Sequence, residues 1–246
     1  MPIKNVTKLF KAPNGQKIVF IRASTLAGYW YCAIKAWCEA RGIEAPSSEA
    51  LDIGKKIHDQ ISNSRASSKW EIELENFLKQ FMVDRESGEG TTGMKTEKFK
   101  VFMREWKDGE VVVGHVVTHG VDDFRCSDTK QVTLVEYKTT NQRYIDSYKL
   151  APATFQIKLY AWILEPYLKI GGYTIHRLEI VYLNRRGDIL GTKQVEYSAE
   201  EVEKDIAKIL KQFNDPSLLI PPAKFKCLHC DERYKRECPF IEQPKT

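Results

Sequence analysis

The segment LVEYKTT sets a carboxylate, Glu136, and an ammonium, Lys138, two residues apart. On a strand, alternate residues project from one face. Here that face begins with the apolar Val132 and Leu134 and turns ionic at its end. Charges at the edge of a core cost desolvation unless they are paired or put to use. The preceding strand closes on HGVDDF, so Asp122 or Asp123 can meet Glu136 across a sheet. Two converging carboxylates suit a hard cation such as Mg²⁺ or Mn²⁺. A lysine beside them can hold an attacking water or a charged phosphoryl oxygen. Downstream, Gln156 and Tyr160 stand four apart in FQIKLY and share one helical face. Taken singly, E-x-K on a strand is a surface ion pair, and Gln156 and Tyr160 are ordinary helix residues. The convergence is what points to chemistry.

A second cluster lies in AKFKCLHCDERYKRECPF, where Cys227, Cys230 and Cys238 form C-x2-C-x7-C. Three thiols are one short of a closed metal site. Zinc is the default for such a motif in isolation, whereas the Cys238-Pro239 ending also occurs in iron–sulfur runs. His229 sits inside the C-x2-C loop, an awkward place for a ligand, and Cys126 reads as a buried thiol. The neighbouring Lys224, Lys226, Arg233, Lys235 and Arg236 form either a solvated tail or a set of phosphate contacts.

The elements that must position these groups follow from periodicity. KIVFIRA reads as a strand after the turn-forming PNGQ. The stretch STLAGYWYCAIKAWCEARG reads as one helix, capped by Ser24 and closed by Gly42. Two more helices fit SSEALDIGKKIHDQISN and WEIELENFLKQFMV, with DRESGEGTTG as a loop after them. The period then becomes two: EKFKVFMREW, EVVVGHVVTHGVDDF and QVTLVEYKTT read as consecutive strands, the first two joined by Asp108-Gly109. The helix APATFQIKLYAWILE has Pro152 in its first turn and Pro166 just beyond its end. HRLEIVYLNRRGDILGTKQVEY is a hairpin, and SAEEVEKDIAKILKQF a helix with Ser198 and Glu201 as a capping box. This order predicts an α/β (α+β) fold, a mixed sheet flanked by helices.

The chain has 246 residues, 42% hydrophobic and 29% charged, enough for one sizeable domain. A net charge of +5 permits a polyanionic partner without requiring one. No stretch suits a membrane span, and the first residues lack a signal peptide, so the expected location is the cytoplasm. In that reducing compartment the six cysteines read as metal ligands or buried thiols.

The order His58 in GKKIHDQ, Asp122 in HGVDDF, Glu136-x-Lys138 in VEYKTT, then Gln156 and Tyr160 in QIKLY, resembles the PD-(D/E)XK nucleases of the RecB type. The resemblance runs over residues 24–240 and implies a restriction-endonuclease-type core with a divalent metal. Its ligands would be His58, Asp122, Glu136 and the carbonyl of Tyr137. Lys138 would support the attacking water, and Gln156 and Tyr160 would help place nucleic acid. VDD leaves two candidates: Asp122 directly follows the apolar Val121, as the pattern prefers, and Asp123 keeps the offset of three from Gly120. His58 follows Gly54 by four, as in the family, while His115 and His119 fall outside the pattern and read as structural.

An early cysteine behind aromatic residues plus a C-terminal trio is similar to the iron–sulfur members of these nucleases, the CRISPR-associated exonucleases among them. The resemblance implies a 4Fe–4S cluster, rather than zinc, on Cys32, Cys227, Cys230 and Cys238. Cys38, six residues along the same segment, is the alternative to Cys32. The cluster would join elements at 24–42 and 222–240 within one domain, 24–246, after an N-terminal extension, 1–23. The implied activity is exonucleolytic hydrolysis of single-stranded DNA ends by a free-standing nuclease domain. Its implied setting is CRISPR spacer acquisition (antiviral defence, with other adaptation proteins as partners) or DNA end processing. Alternatives are a viral or host recombination nuclease with the same site, and a catalytically inactive zinc- or cluster-stabilised DNA-binding module.

Overall fold

In the computed structural model, residues 10–11, 17–18, 20–43, 49–86, 98–108, 111–140, 147–220, 227 and 230–240 are described. The expected turn at 13–16, most of the loop before 94, Gly109, Lys224, Lys226 and His229 lie outside them. The fold is mixed α/β. In chain order the elements are β1 (Phe10–Lys11), β2 (Lys17–Ile18), β3 (Phe20–Arg22), α1 (Ala23–Gly28), α2 (Ala33–Ala40), α3 (Glu49–Ser64) and α4 (Lys69–Lys79). Next come β4 (Val83–Glu86), β5 (Lys98–Asp108), β6 (Val111–Thr118), β7 (Asp123–Cys126) and β8 (Gln131–Thr139). The chain continues through α5 (Ser147–Ile170), β9 (Thr174–Leu183), β10 (Ile189–Val195), α6 (Ala199–Asn214) and α7 (Glu232–Glu237).

Two four-stranded mixed sheets, ordered β10-β9-β8-β7 and β3-β6-β5-β4, replace the single sheet expected. Strands β8 and β9 are parallel, joined by the α5 crossover. The predicted strand over residues 110–124 divides between the two sheets. At Gly120 the backbone turns to φ 127°, which only glycine adopts readily, and the chain leaves β6 before entering β7. Strand β3 pairs in parallel with β6, so this sheet begins before residue 24.

The helix predicted over 24–42 is also two. Tyr29 packs on Phe213 and Trp30 on Phe155, at ring separations of 6.4 and 6.1 Å. Cys32 then takes an extended conformation, φ −155°, and its sulfur accepts the Lys35 N–H at 3.5 Å, starting a new helix. At α6 the Ser198 hydroxyl accepts the Glu201 N–H at 3.4 Å, half of the expected capping box, while the Glu201 carboxylate accepts from Lys158 at 3.3 Å instead.

Helix α5 is the central element. It is buried on nearly every side, with Phe155, Ile157, Leu159, Trp162, Ile163 and Leu164 in the main core. It begins before the sequence pattern does, so Pro152 is past its first turn, and it runs through Pro166 instead of ending there. A proline removes the N–H that would reach the carbonyl four residues back, here Trp162. The Arg104 guanidinium supplies the missing donor, bonding the Trp162 carbonyl at 2.5 Å while lying 4.2 Å from the centre of the Trp162 ring. Arg104→Ala is therefore expected to lower stability by about 1–3 kcal/mol in denaturant unfolding, the cost of an orphaned buried acceptor. Pro166→Ala restores the N–H and should recover part of that loss. An equal loss with and without Pro166→Ala would contradict this origin.

A smaller cluster, Ile57, Val135, Tyr137, Val181 and Leu183, with Ile53 and Ile61 beside it, holds α3 against β8 and β9. Among the described residues no helix is long and apolar enough to cross a membrane.

Candidate active site

Strand β8 carries the site. Parallel pairing with β9 sets Glu136 opposite Ile180 and Lys138 opposite Tyr182, and antiparallel pairing with β7 sets Val135 opposite Asp123. Glu136 is buried, 2% exposed, beside the main core. Its Oε1 accepts from Lys138 Nζ. Lys138 Nζ also donates to Gln156 Oε1 at 2.9 Å, and Gln156 Nε2 donates to the Tyr160 hydroxyl. Glu136, Lys138, Gln156 and Tyr160 thus form one polar chain from strand to helix.

Asp122 reaches the same end of β8, its Oδ2 accepting the Tyr137 N–H at 2.8 Å and facing His58 Nδ1 at 3.4 Å. His58 arrives on α3, and Gly54, one turn earlier, permits the approach. A Cβ at Gly54 would stand 3.0 Å from Thr139 Oγ1, tighter than packed carbons tolerate without displacement. Asp123 has other obligations. It binds Arg65, accepts from the Tyr137 hydroxyl at 3.0 Å and caps its own neighbour, the Phe124 N–H, at 2.8 Å. Arg65 in turn binds the buried Glu71. Of the two adjacent aspartates, Asp122 joins His58, and Asp123 belongs to a network tying α3, α4 and β7 together.

The electrostatics separate the two carboxylates. Burial pushes Glu136 up to about 7, opposed by Lys138 and aided by Asp122. Burial also acts to raise Asp122, but His58, the Tyr137 N–H and Lys138 together hold it below its ordinary value. Tyr160 is raised well above the usual phenol value by burial and by Glu136, so it stays a neutral hydroxyl.

Two ligand-type atoms at the site, Glu136 Oε2 and His58 Nε2, are buried with no hydrogen-bond partner among the described residues. Buried polar atoms are almost always satisfied, so two orphans beside Asp122 fit a cation held by this donor set. Among the described residues, however, no three His, Cys, Asp or Glu side chains stand where together they could hold a metal ion, so a cation at this site requires the donors to draw closer.

The cysteines meet across the chain. Cys227 and Cys230 share a turn, the Cys230 N–H bonding the Cys227 carbonyl at 3.2 Å, and Cys238 ends α7. Burial raises the thiol of Cys32, and the charges of Cys238 and Cys227 raise it further; Cys230 is raised likewise, with Cys32 and its two neighbours contributing. Cys32 and Cys230 thus lie within electrostatic reach of each other and of Cys227 and Cys238, and a cationic centre that took these thiols as thiolates would relieve that repulsion. Cys38 is fully buried and pushed up to about 12, which disfavours it as a ligand. Helices α2 and α7 also meet through Tyr234, whose hydroxyl donates to Glu39 at 3.1 Å, and through Arg41 and Glu237 at 3.8 Å. The N-terminal helices and the tail therefore pack together, through contacts that involve no cysteine.

No known family profile matches the chain, and no curated protein matches it. A solved structure described as the crystal structure of SSO0001 is similar, with a TM-score of 0.48 and 15% identity over 89% of this chain and 86% of that one.

Proposed function

We propose that the protein is a metal-dependent deoxyribonuclease with a RecB-like PD-(D/E)XK site, acting in the cytoplasm on single-stranded DNA ends. The observation that carries this is the pair of unsatisfied buried atoms, Glu136 Oε2 and His58 Nε2, beside the Lys138–Gln156–Tyr160 chain. His58, Asp122, Glu136 and the Tyr137 carbonyl would hold Mn²⁺ or Mg²⁺. When bound, that cation supplies the Lewis acidity that acidifies a water and polarises the phosphodiester. Lys138 orients the attacking oxygen and offsets charge developing on phosphorus. Gln156 fixes the ammonium in place, and the neutral Tyr160 hydroxyl fixes Gln156. A new P–O bond forms as the P–O3′ bond breaks, leaving a 5′-phosphate and a 3′-hydroxyl. End processing for spacer acquisition or repair is the work such an activity would serve.

The reading is tested by incubating the purified protein with end-labelled single-stranded DNA and Mn²⁺, with a chelated control. Shortened products bearing 5′-phosphates are expected only with the cation. No cleavage of single- or double-stranded DNA under either condition would overturn it.

Cys32, Cys227, Cys230 and Cys238 would hold a 4Fe–4S cluster that clasps the N-terminal helices to the tail. Anaerobically purified protein is expected to be brown and to contain iron. Cys32→Ser should lose the iron and unfold at a lower temperature, because α2 and α7 then share only their polar and ring contacts. Colourless protein carrying zinc would replace this assignment with a zinc clasp.

A further inference from the structure

Helix α3 brings His58 to the site, so whatever fixes that helix on the sheet also fixes the imidazole. Its residues Ile53, Ile57 and Ile61 lie against Val135, Tyr137, Val181 and Leu183. Such burial sets the depth of the helix, but it is non-directional and opposes sliding and rolling only weakly. Directional contacts come from another face. Gly54, His58 and Arg65 fall at i, i+4 and i+11 and share that face. Arg65 follows the last residue of α3, and its N–H bonds the Ile61 carbonyl at 3.2 Å, which continues the helical turn. Along this face Gly54 lies against Thr139, and His58 faces Asp122 and stands edge-on to the Tyr137 ring, with ring centres 6.0 Å apart. Arg65 then meets β7.

The guanidinium grips two carboxylates at once. Nη1 binds Asp123 and reaches the Phe124 carbonyl at 3.4 Å, while Nη2 binds Glu71. Both carboxylates are themselves held. Glu71 is buried and accepts the Ser68 N–H at 2.8 Å at the start of α4. Asp123 accepts from the Tyr137 hydroxyl at 3.0 Å and from the Phe124 N–H at 2.8 Å. A planar fork held at two fixed oxygens sets both the rotation and the axial position of the helix end. His58 is seven residues away, two turns or about 10 Å along the axis, so that anchor limits its drift as well. Tyr137 carries the same anchor into the site, since its hydroxyl donates to Asp123 and its backbone N–H to Asp122.

We propose that Arg65 is a positioning residue for the cation site: by locking α3 to β7 and α4 it preorganises His58 against Asp122. The proposal rests on the metal-dependent reading of the site, although Arg65 itself touches neither cation nor substrate. Donors that must draw closer to hold a cation bind it more tightly when they have less freedom to surrender. Losing the anchor therefore weakens cation binding and leaves the chemistry of the loaded site in place.

Two substitutions test this. Arg65→Gln keeps an amide donor for the buried Glu71 but cannot bridge both carboxylates. Charge alone would make this variant bind a cation more tightly, because it removes a positive group nearby. Loss of the anchor makes it bind more weakly. Arg65→Lys leaves the charge unchanged and holds one carboxylate without the fork, so it serves even where Arg65→Gln does not fold. Mn²⁺ is titrated into DNA-free protein and the unbound ion is measured by electron paramagnetic resonance, with single-stranded DNA cleavage followed over the same range. The Kd for Mn²⁺ is expected to rise about tenfold in Arg65→Gln and roughly threefold or more in Arg65→Lys, the cost of losing a group that orients a ligand. Rates at saturating Mn²⁺ should stay within about threefold of the wild type. An unchanged or tighter Kd in either folded variant overturns the anchor and leaves the nuclease standing. The expected rise in Kd, with no cleavage by the wild type, supports the anchor and overturns the nuclease. A wild type that binds no Mn²⁺ overturns both.

Discussion

Lys138→Ala is expected to slow DNA cleavage roughly 10²–10³-fold, the usual loss when one preorganised charge-stabilising donor is removed. DNA affinity should stay nearly intact, since only one of the chain's 38 lysines and arginines is removed. The geometry explains the severity. Lys138 Nζ joins Glu136 Oε1 to Gln156 Oε1, so its loss frees both acceptors and disconnects the strand from Tyr160. It also removes the cation that holds the buried Glu136 toward its ionised form. Arginine would not substitute, because a planar fork cannot sit as a point charge between two oxygens. Single-turnover cleavage and fluorescence anisotropy, measured on one protein sample, separate rate from binding. Full activity in Lys138→Ala would sink the assignment of the site.

Glu136→Gln is expected to abolish cleavage and, with divalent cation withheld, to make the protein more stable at alkaline pH. The folded carboxyl titrates at about 7, above its ordinary 4.5, so the folded chain holds this proton more tightly than the unfolded chain does. Below the ordinary value both states are protonated and there is no penalty. As pH rises from there to about 7, the unfolded chain ionises first and stability falls. Above that range a deficit on the order of 3 kcal/mol remains, at about 1.4 kcal/mol per pH unit of displacement. A glutamine does not titrate, so urea unfolding at pH 5 and pH 8 should show the wild type losing most of this increment and the variant keeping its stability. Lower stability of Glu136→Gln at pH 8 would contradict the account. A cation bound at the folded site, as proposed, would offset this cost through mass action.

The clustering of side chains from β8 and α5 was legible because it is local. Glu136 and Lys138 share a strand face, Gln156 and Tyr160 a helix face, and the structure joins all four in one chain of hydrogen bonds. Asp122 and Asp123 could not be told apart by periodicity. What separates them is Arg65, 58 positions from Asp123, which claims one and leaves the other to His58. The placement of Tyr182 opposite Lys138 could not be read from the sequence for the same reason, since it depends on a parallel pairing across the whole α5 crossover. The end expected at Pro166 failed because Arg104, on another sheet, replaces the lost donor. The two-sheet division turns on the single backbone angle at Gly120, which the alternating pattern of GHVVTHGVDD does not reveal.

The central claim is that Glu136, with His58 and Asp122, holds the cation on which cleavage depends. It is tested most directly by the rate of single-stranded DNA cleavage as Mn²⁺ is titrated, with wild type and Glu136→Gln run side by side. The rate is expected to rise and saturate with Mn²⁺ in the wild type and to stay at background in the variant throughout. Equal rates in the two proteins, or a wild-type rate indifferent to Mn²⁺, would contradict it.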